Sequence, residues 1–466
     1  MPMETTEIVI CGCGPTGAML SCCLGRMGIK HIILDQAPSV TTDPRGIALD
    51  EDGLRALQAV GVYNDIYTKI GSCMGLFLFI GGVHSSLDTA PFTRMDYGTS
   101  EGGTGHVGFI CHKQPVLEEA LRGVMGGFGE CELRTGCTVV GIEEDEGGVV
   151  VRYTNDGVEH LVRAQFLVGA DGKTGFTRKN YLEPRGVIME QSSSAPYKET
   201  WVALNWEITL PTPETHPEFP LWAQGYTPEQ VYDLFFPPNF RFLCNPQRPA
   251  VCGRFGLPSD HLWRFEFVVQ QGECAEQMAS AEALQSVVFP YLTHPKGRYG
   301  LSQDITFPAD CIRTLRCRPF VFSARSCNIW ALGRTILCGD SAHVFPPFGG
   351  QGITSGFRDA TSLAWRLAIL VKDKHKQKID HNRILRAWYR ERKQQLERSL
   401  AATVENGKLV TEGNAIKVAL RNTVFAILQL VPSWRRWCEK GARRDGMARY
   451  AYEDGFHFLP AFGGGV

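Results

Sequence analysis

A chain of 466 residues with 44% hydrophobic and 21% charged side chains has the balance of a folded globular protein and the length of two or three domains, which excludes a disordered, fibrous or disulfide-stapled miniature. A net charge of −1 at pH 7 gives no electrostatic ground for binding nucleic acid or an anionic membrane. The 16 cysteines are scattered without one C-x-x-C pair, so zinc ribbons and fingers are not expected, no metal site is assigned, and the thiols read as reduced and mostly buried.

In chain order, Glu7 to Gly28 reads as a buried parallel strand, a tight turn and a helix. Gly12, Gly14 and Gly17, with Pro15 and Thr16 between them, match G-x-G-x-x-G. The turn, the approach to a pyrophosphate and the helix–strand contact would each need a missing side chain. Lys30 to Asp35 is the next strand, and Asp35 stands where a carboxylate would accept hydrogen bonds from a ribose diol. A glycine-rich turn without a ligand is the plain alternative in a chain with 50 glycines, and the pattern does not separate FAD from NAD. Arg45 follows on a loop before an amphipathic helix, either as a solvated charge or near a phosphate or flavin edge. Gln114 opens a further helix with Pro115 in its first turn. From Cys131 to Val168 the pattern is strand, acidic turn, strand. A buried strand then ends in Asp171-Gly172, with Arg178 shortly after, which taken alone reads as an ordinary Asp-Gly turn.

Residues 185 to 330 are richer in Pro, Trp, Phe and Tyr and alternate like an antiparallel sheet with one covered face, either a substrate wall or plain core. Tyr226, Tyr232, Arg254, His106 and His343 are candidates for a catalytic base by region alone, and His343 reads better as structural. A small apolar strand then ends at Gly339-Asp340 and crosses a Pro/Gly loop through Pro346. Gly350-Gln351-Gly352-Ile353 starts a helix whose dipole favours negative charge by about 0.3–1 kcal/mol. A charge-laced helix over 383–407 and one or two more over 415–439, broken at Pro432, precede a loop-like tail, Phe458 to Val466. The acidic N-terminus is unlike a signal peptide, and the apolar run Val424 to Val431 is too short to span a bilayer. The expected location is cytoplasmic, with no membrane partner.

Together, Gly12-x-Gly14-x-x-Gly17 with Asp35, Ala170-Asp171-Gly172 and Gly339-Asp340-Ser341-Ala342-His343 resemble the class A flavin-dependent monooxygenases. This is the para-hydroxybenzoate hydroxylase-like group, and the nearest likeness is to its hydroxyphenylpropionate and phenol hydroxylase branch, over roughly residues 5 to 410. The resemblance implies an α/β (α+β) fold: a discontinuous Rossmann-like FAD-binding domain (1–75, 101–184 and 325–375), an inserted antiparallel-sheet substrate domain (76–100 and 185–324) and a helical C-terminal region (376–466). It implies that Gly12, Gly14, Pro15, Thr16 and Gly17 hold the FAD pyrophosphate, Asp35 the ribose, and Gly339 and Asp340 the ribityl or pyrophosphate part. Gly350, Gln351, Gly352 and Ile353 would meet the flavin pyrimidine edge, and Arg45 and Gln114 would touch the cofactor. Asp171 and Gly172, with Arg178, would serve both FAD and NAD(P)H, and Pro346 would lie beside the reactive face.

The implied activity is hydroxylation of a phenolic or polyketide-like molecule with NAD(P)H and O2 through a C4a-hydroperoxyflavin, by a monomer or homodimer. Epoxidation, Baeyer–Villiger insertion and a non-catalytic FAD-fold binding protein are the alternatives. Thr354 stands where many relatives carry Asn, and several relatives continue into a thioredoxin-like C-terminal domain.

Overall fold

The computed structural model describes residues 3–43, 45–100, 104–192, 196–372 and 380–437. Strand β1 (Ile8–Cys11) is wholly buried and turns at Gly12 into helix α1 (Pro15–Arg26), with proline in the first turn, where its missing N–H has no cost. Strand β2 (His31–Asp35) and helix α2 (Glu51–Ala59) follow, the Asp50 side chain capping α2 by accepting from Gly53 N–H. The chain then leaves this layer through β3 (Leu76–Gly81) and β4 (Thr93–Asp96) and returns by α3 (Gln114–Met125) and β5 (Cys131–Thr135). An antiparallel meander, β6 (Cys137–Asp145), β7 (Gly148–Asn155) and β8 (Val158–Ala164), leads into β9 (Phe166–Gly169).

The second excursion is longer: β10 (Lys198–Ile208), α4 (Pro228–Phe235), β11 (Phe240–Cys244), β12 (Ala250–Phe255), β13 (Leu262–Val268) and β14 (Ile312–Ser323). The first layer is completed by β15 (Ala331–Leu332), β16 (Thr335–Leu337) and helix α5 (Gln351–Lys372). Helices α6 (His381–Thr411) and α7 (Ala415–Leu428) follow. A short helix, Pro432–Arg436, follows the expected break, and the tail from Phe458 lies outside the described residues.

Two sheets organise these elements. One runs β15-β16-β9-β1-β2-β5, parallel except for the β15–β16 edge. Its central strands β1, β2 and β9 are short buried runs, with α1 and the meander strands β6 and β7 packed against the sheet. The other runs β14-β10-β13-β12-β11-β3-β4 and is antiparallel except where β11 meets β3. Alternation along its strands sends Trp201, Phe242, Val251 and Phe255 into the core shared with the parallel layer. Leu204, Trp206, Cys252 and Phe265 go instead into a separate outer core that includes α4. Among the described residues, no helix is long and apolar enough to cross a membrane, and every cysteine is free, most of them buried.

One ion network ties α5 and α6 beneath the parallel sheet. Asp359 Oδ1 accepts from Arg392 Nε at 2.7 Å, and its Oδ2 accepts from Gly339 N–H at 2.9 Å and lies 2.7 Å from His343 Nε2. All three side chains are buried. Burial alone would raise the Asp359 carboxyl, but the charges of His343 and Arg392 hold it below the ordinary carboxylate range. Asp359→Ala should therefore cost about 3–5 kcal/mol of stability by stranding Arg392 as an unpaired buried charge. The denaturant midpoint of the folded chain checks this, and an unchanged midpoint contradicts it.

Candidate cofactor and substrate site

The three glycine-bearing motifs lie at the carboxyl ends of three adjacent parallel strands. Cys11, Gly169 and Leu337 are in register across β1, β9 and β16, and the motif residues follow each of them. Ligands of open α/β sheets bind in the crevice outside these strand ends. The turns are joined directly: Ala170 N–H donates to Cys11 O at 2.8 Å, Cys338 N–H to Gly169 O at 3.0 Å, and the Ser341 hydroxyl to Gly169 O at 2.5 Å.

Glycine is required at some of these positions by the protein itself. Gly12 has φ +95°, and a Cβ there would come within 2.5 Å of the Ala170 carbonyl oxygen. At Gly17 it would strike the Gly12 carbonyl, at Gly339 Thr16 Oγ1 at 2.6 Å, and at Gly356 Thr16 Oγ1 again. Gly14 is different. Its φ of −71° suits any residue, and a Cβ there would meet no atom within 4 Å. Gly352, in the first turn of α5, likewise faces open space. Gly14 also heads α1 without a side-chain cap, so the first-turn amides there have no side-chain acceptor. Two glycines that neither conformation nor packing demands, each at a helix start, fit a ligand that approaches the backbone closely.

The charged residues divide between turn-building and cleft-lining. Asp35 Oδ2 accepts from Cys13 N–H at 2.7 Å and Oδ1 from Ala37 N–H at 2.8 Å, so the carboxylate braces the glycine turn, with Arg122 3.5 Å away. Asp171 Oδ2 accepts from Thr177 N–H at 2.8 Å, while Oδ1 is buried with no partner among the described residues. Burial raises this carboxyl. Arg178 is buried and bonds Glu183 and the Lys173 carbonyl, holding the loop that contains Gly172 (φ +79°).

Asp340 is solvent-exposed, yet enough protein surrounds it for burial to raise its carboxyl above the ordinary range, against the pull of His343 and Lys173. Arg45 is exposed, 4.0 Å from Asp43.

The start of α5 is anchored to α2. Gln351 Nε2 donates to Asp50 Oδ2 at 2.8 Å, and Arg358 bridges Asp50 at 2.6 Å, Asp52 at 2.9 Å and Gln351 Oε1 at 2.8 Å. Gln114 Oε1 accepts from Gly46 N–H at 2.7 Å and its Nε2 donates to Glu118, while Ile353 abuts Gly46. The amides of Gln351 and Gln114 thus hold the loops that frame the cleft. Thr354 is buried, its hydroxyl 3.4 Å from Asp50 N.

Pro346 is buried, and two residues on, Phe348 meets the inner face of the antiparallel sheet. Its ring centroid lies 5.2 Å from Trp201 and 5.7 Å from Tyr197. Tyr197 O–H donates to Glu199 Oε2 at 2.8 Å and accepts from Trp201 Nε1–H at 3.1 Å. Burial and the Glu199 charge raise the Tyr197 phenol. Further along the same face, Arg264 donates to Asn205 Oδ1 at 2.7 Å and lies 3.5 Å from Glu266, whose carboxyl burial raises. Asp43 reaches across to Arg316 at 3.2 Å and Arg318 at 2.9 Å on β14, fastening the two layers.

Tyr226, Tyr232 and Arg254, expected by region, are not brought to this face. Inward Val251 and Phe255 force Arg254 outward, where its guanidinium lies 4.0 Å above the Tyr232 ring in the outer core. Tyr226 packs against that same core. His106 lies beside Tyr63 with the two rings tilted, and His343 lies beside the Gly339 turn with Asp359. Tyr197, Glu199 and Trp201 stand on this face instead, and their period-two spacing at the start of β10 is the sequence signal for it.

The family model described as FAD binding domain matches residues 5–287 and 303–400. The 3-(3-hydroxy-phenyl)propionate/3-hydroxycinnamic acid hydroxylase of Comamonas testosteroni is 25% identical over 435 residues, 93% of this chain and 64% of that protein. Its counterpart in Burkholderia cenocepacia is 25% identical over 462 residues, 99% of this chain and 72% of that protein. The chain therefore spans about two thirds of the length of these curated relatives. Among solved structures, p-nitrophenol 4-monooxygenase from Pseudomonas putida superposes with a TM-score of 0.72 at 20% identity, covering 97% of this chain and 100% of that one. Aklavinone-11 hydroxylase, solved with FAD and aklavinone, gives 0.69 at 18% identity over 90% of this chain and 71% of that one. The chain shares the fold of these flavin monooxygenases, and with the family model matching most of its length it belongs to the FAD binding domain family.

Proposed function

We propose that this chain carries out FAD-dependent, NAD(P)H-consuming hydroxylation of a phenolic or polyketide-like small molecule, the parallel layer serving the cofactor and the antiparallel sheet the substrate. The observation that carries the reading is the meeting, at the carboxyl ends of adjacent parallel strands, of turns bearing open Gly14 and exposed Asp340 with the α5 start at open Gly352, beside the Pro346–Phe348 loop that leads to an aromatic wall holding a buried tyrosine. The names of the curated relatives support the same reaction class.

In this reading Gly12, Gly14, Pro15, Thr16 and Gly17 take the pyrophosphate on the α1 amides, with Asp35 beside the adenosine ribose and Asp340 toward the ribityl chain. The start of α5, Gly350 to Ile353, takes the pyrimidine edge, where the helix dipole stabilises negative charge by about 0.3–1 kcal/mol. Asp171 and Gly172, shaped by Arg178, border the entry used by NAD(P)H. Bound FAD, reduced by NAD(P)H, supplies the oxygen-activating chemistry, and O2 and the aromatic ring are the other reactants.

The protein's own share is orientation, exclusion of water and movement of a proton. Trp201, Phe348 and Tyr197 are apolar walls for a flat ring. Tyr197 has a lone pair left after accepting from Trp201 and passes its own proton toward half-exposed Glu199. A phenol donating to Tyr197 can therefore lose its proton through Tyr197 to Glu199 and on to solvent, leaving an electron-rich phenolate.

Three substitutions test this assignment. Gly14→Val places a side chain in the pyrophosphate space and should yield a folded, colourless protein; a purified variant with full yellow flavin absorbance refutes that placement. Asp340→Ala should fold and retain FAD weakly, and wild-type occupancy after gel filtration sinks the carboxylate's role. Tyr197→Phe should lower hydroxylation by about 10²-fold near neutral pH while leaving flavin content unchanged. The loss should shrink at higher pH, where a phenol ionises unaided. A pH–rate profile parallel to that of the parent chain speaks against the relay.

A further inference from the structure

Helix α7 packs by one side on the β3–β4 edge of the antiparallel sheet. Val418 is buried there, and Phe425 meets Phe92 with ring centroids 5.7 Å apart. Gln429 Nε2 donates to Thr93 Oγ1 at 3.1 Å, and Asn422 lies against Gly81. The opposite side is apolar as well. Ile416, Leu420, Val424 and Ile427 recur at helical spacing. Leu430 and Val431 extend the stripe, because their N–H groups donate to Ile427 O at 3.0 Å and Leu428 O at 2.9 Å and so continue the turn. Ile416 is 80% exposed, Leu420 64%, Ile427 58% and Leu430 81%. Single exposed leucines are ordinary in a folded protein, but six aliphatic side chains in one stripe mark a binding surface.

We propose that α7 and the turn after it form a membrane-surface anchor, with the stripe lying in the plane of the lipid interface. The chain as a whole is close to neutral, but this stretch is not: between Glu412 and Glu439 it has no acidic residue and carries Lys417, Arg421, Arg435 and Arg436. Lys417 Nζ lies 3.8 Å from Glu412, and Arg421 turns inward over the Phe92 ring at 4.7 Å. Arg435 and Arg436 are exposed at the end of the stripe. Trp434 and Trp437 flank that pair, their ring centroids 5.0 Å apart. An apolar helix face that ends in tryptophans and arginines suits the boundary between acyl chains and anionic headgroups, where the rings sit at headgroup level and the cations meet phosphate and carboxylate.

Size and charge favour lipid over a second copy of the chain. The stripe over 416–431 is about 23 Å long, and at a helix width of about 10 Å its footprint is roughly 230 Å². A stable protein interface takes about 800 Å² from each partner. Two-fold pairing would also lay Arg435 and Arg436 of one copy on a patch that offers no acid. A fluid lipid surface needs no matching contour, and each aliphatic side chain that leaves water improves partition by roughly tenfold. Docking in this way brings the β3–β4 edge of the antiparallel sheet to the headgroups.

The test sediments the full, FAD-loaded chain with vesicles of phosphatidylcholine containing about a third phosphatidylserine, and none of its readouts depends on turnover. The parent should pellet with the vesicles. Leu420→Gln combined with Leu430→Gln, both at exposed positions, should lower vesicle affinity by about a hundredfold while flavin content and melting temperature stay at parent values. Arg435→Gln combined with Arg436→Gln should weaken binding to these vesicles by about thirtyfold and leave binding to pure phosphatidylcholine unchanged. A parent chain that stays in the supernatant overturns the inference. In that case a dimer dissociated by the two leucine substitutions assigns the stripe to a second copy, and a monomer assigns it to the residues after 437. Equal vesicle binding by the parent and the leucine variant overturns the inference too.

Discussion

Close backbone approach around Thr16 is the constraint from which the cleft follows. The turn after β1, the turn after β16 and the first turns of α5 all come within side-chain distance of one another, and they can do so because positions 12, 17, 339 and 356 lack a Cβ. With those four glycines the starts of α1 and α5 face a common space. A methyl group at Gly356 would collide with Thr16 Oγ1, wedging α5 from α1 and widening the space that the two helix starts share. Glycine in a helix costs about 1 kcal/mol relative to alanine, so its presence at Gly356, inside α5, is explained by geometry and not by local preference.

Buried charge then holds what the glycines allow. Asp359 joins the Gly339 amide, His343 and Arg392 in one fully buried knot, while Arg358, its neighbour on α5, joins Asp50, Asp52 and Gln351 on the cleft side. Adjacent residues on a helix point about 100° apart, so one Arg-Asp pair in the sequence serves two networks. Buried pairs add little net stability over apolar packing but are costly to break. Their effect here is directional: they set the position of the Gly339 turn and of the α5 start relative to the rest of the parallel layer.

The antiparallel sheet contributes by having two unlike faces. Its inner face carries Tyr197, Glu199, Trp201, Arg264 and Glu266 toward the cofactor layer, and its outer face carries a second core roofed by α4. The fastening of Asp43 to Arg316 and Arg318 keeps that inner face against the cleft.

Much of the cofactor layer is legible in sequence because its signals are local. Gly12 to Gly17, Asp35, Asp171-Gly172 and Gly339-Asp340 each follow a short apolar strand within a few residues, and parallel strands buried on both faces read as apolar runs wherever they occur. Strand, turn and helix in that order leave little freedom. The antiparallel sheet was not legible in the same way. Regional proximity suggested Tyr232 and Arg254, but whether a strand residue faces the cleft or the outer core depends on register, and a shift of one residue reverses every side chain. Register across β14, β10 and β13 is set by partners as much as 125 residues apart in the chain (Lys198 with Ser323), so local spacing alone does not bring Tyr197 and Trp201 against Phe348. What the sequence determined by itself was the chemistry of contiguous turns; which distant side chains share a face was decided by tertiary structure, because packing and not spacing selects the face.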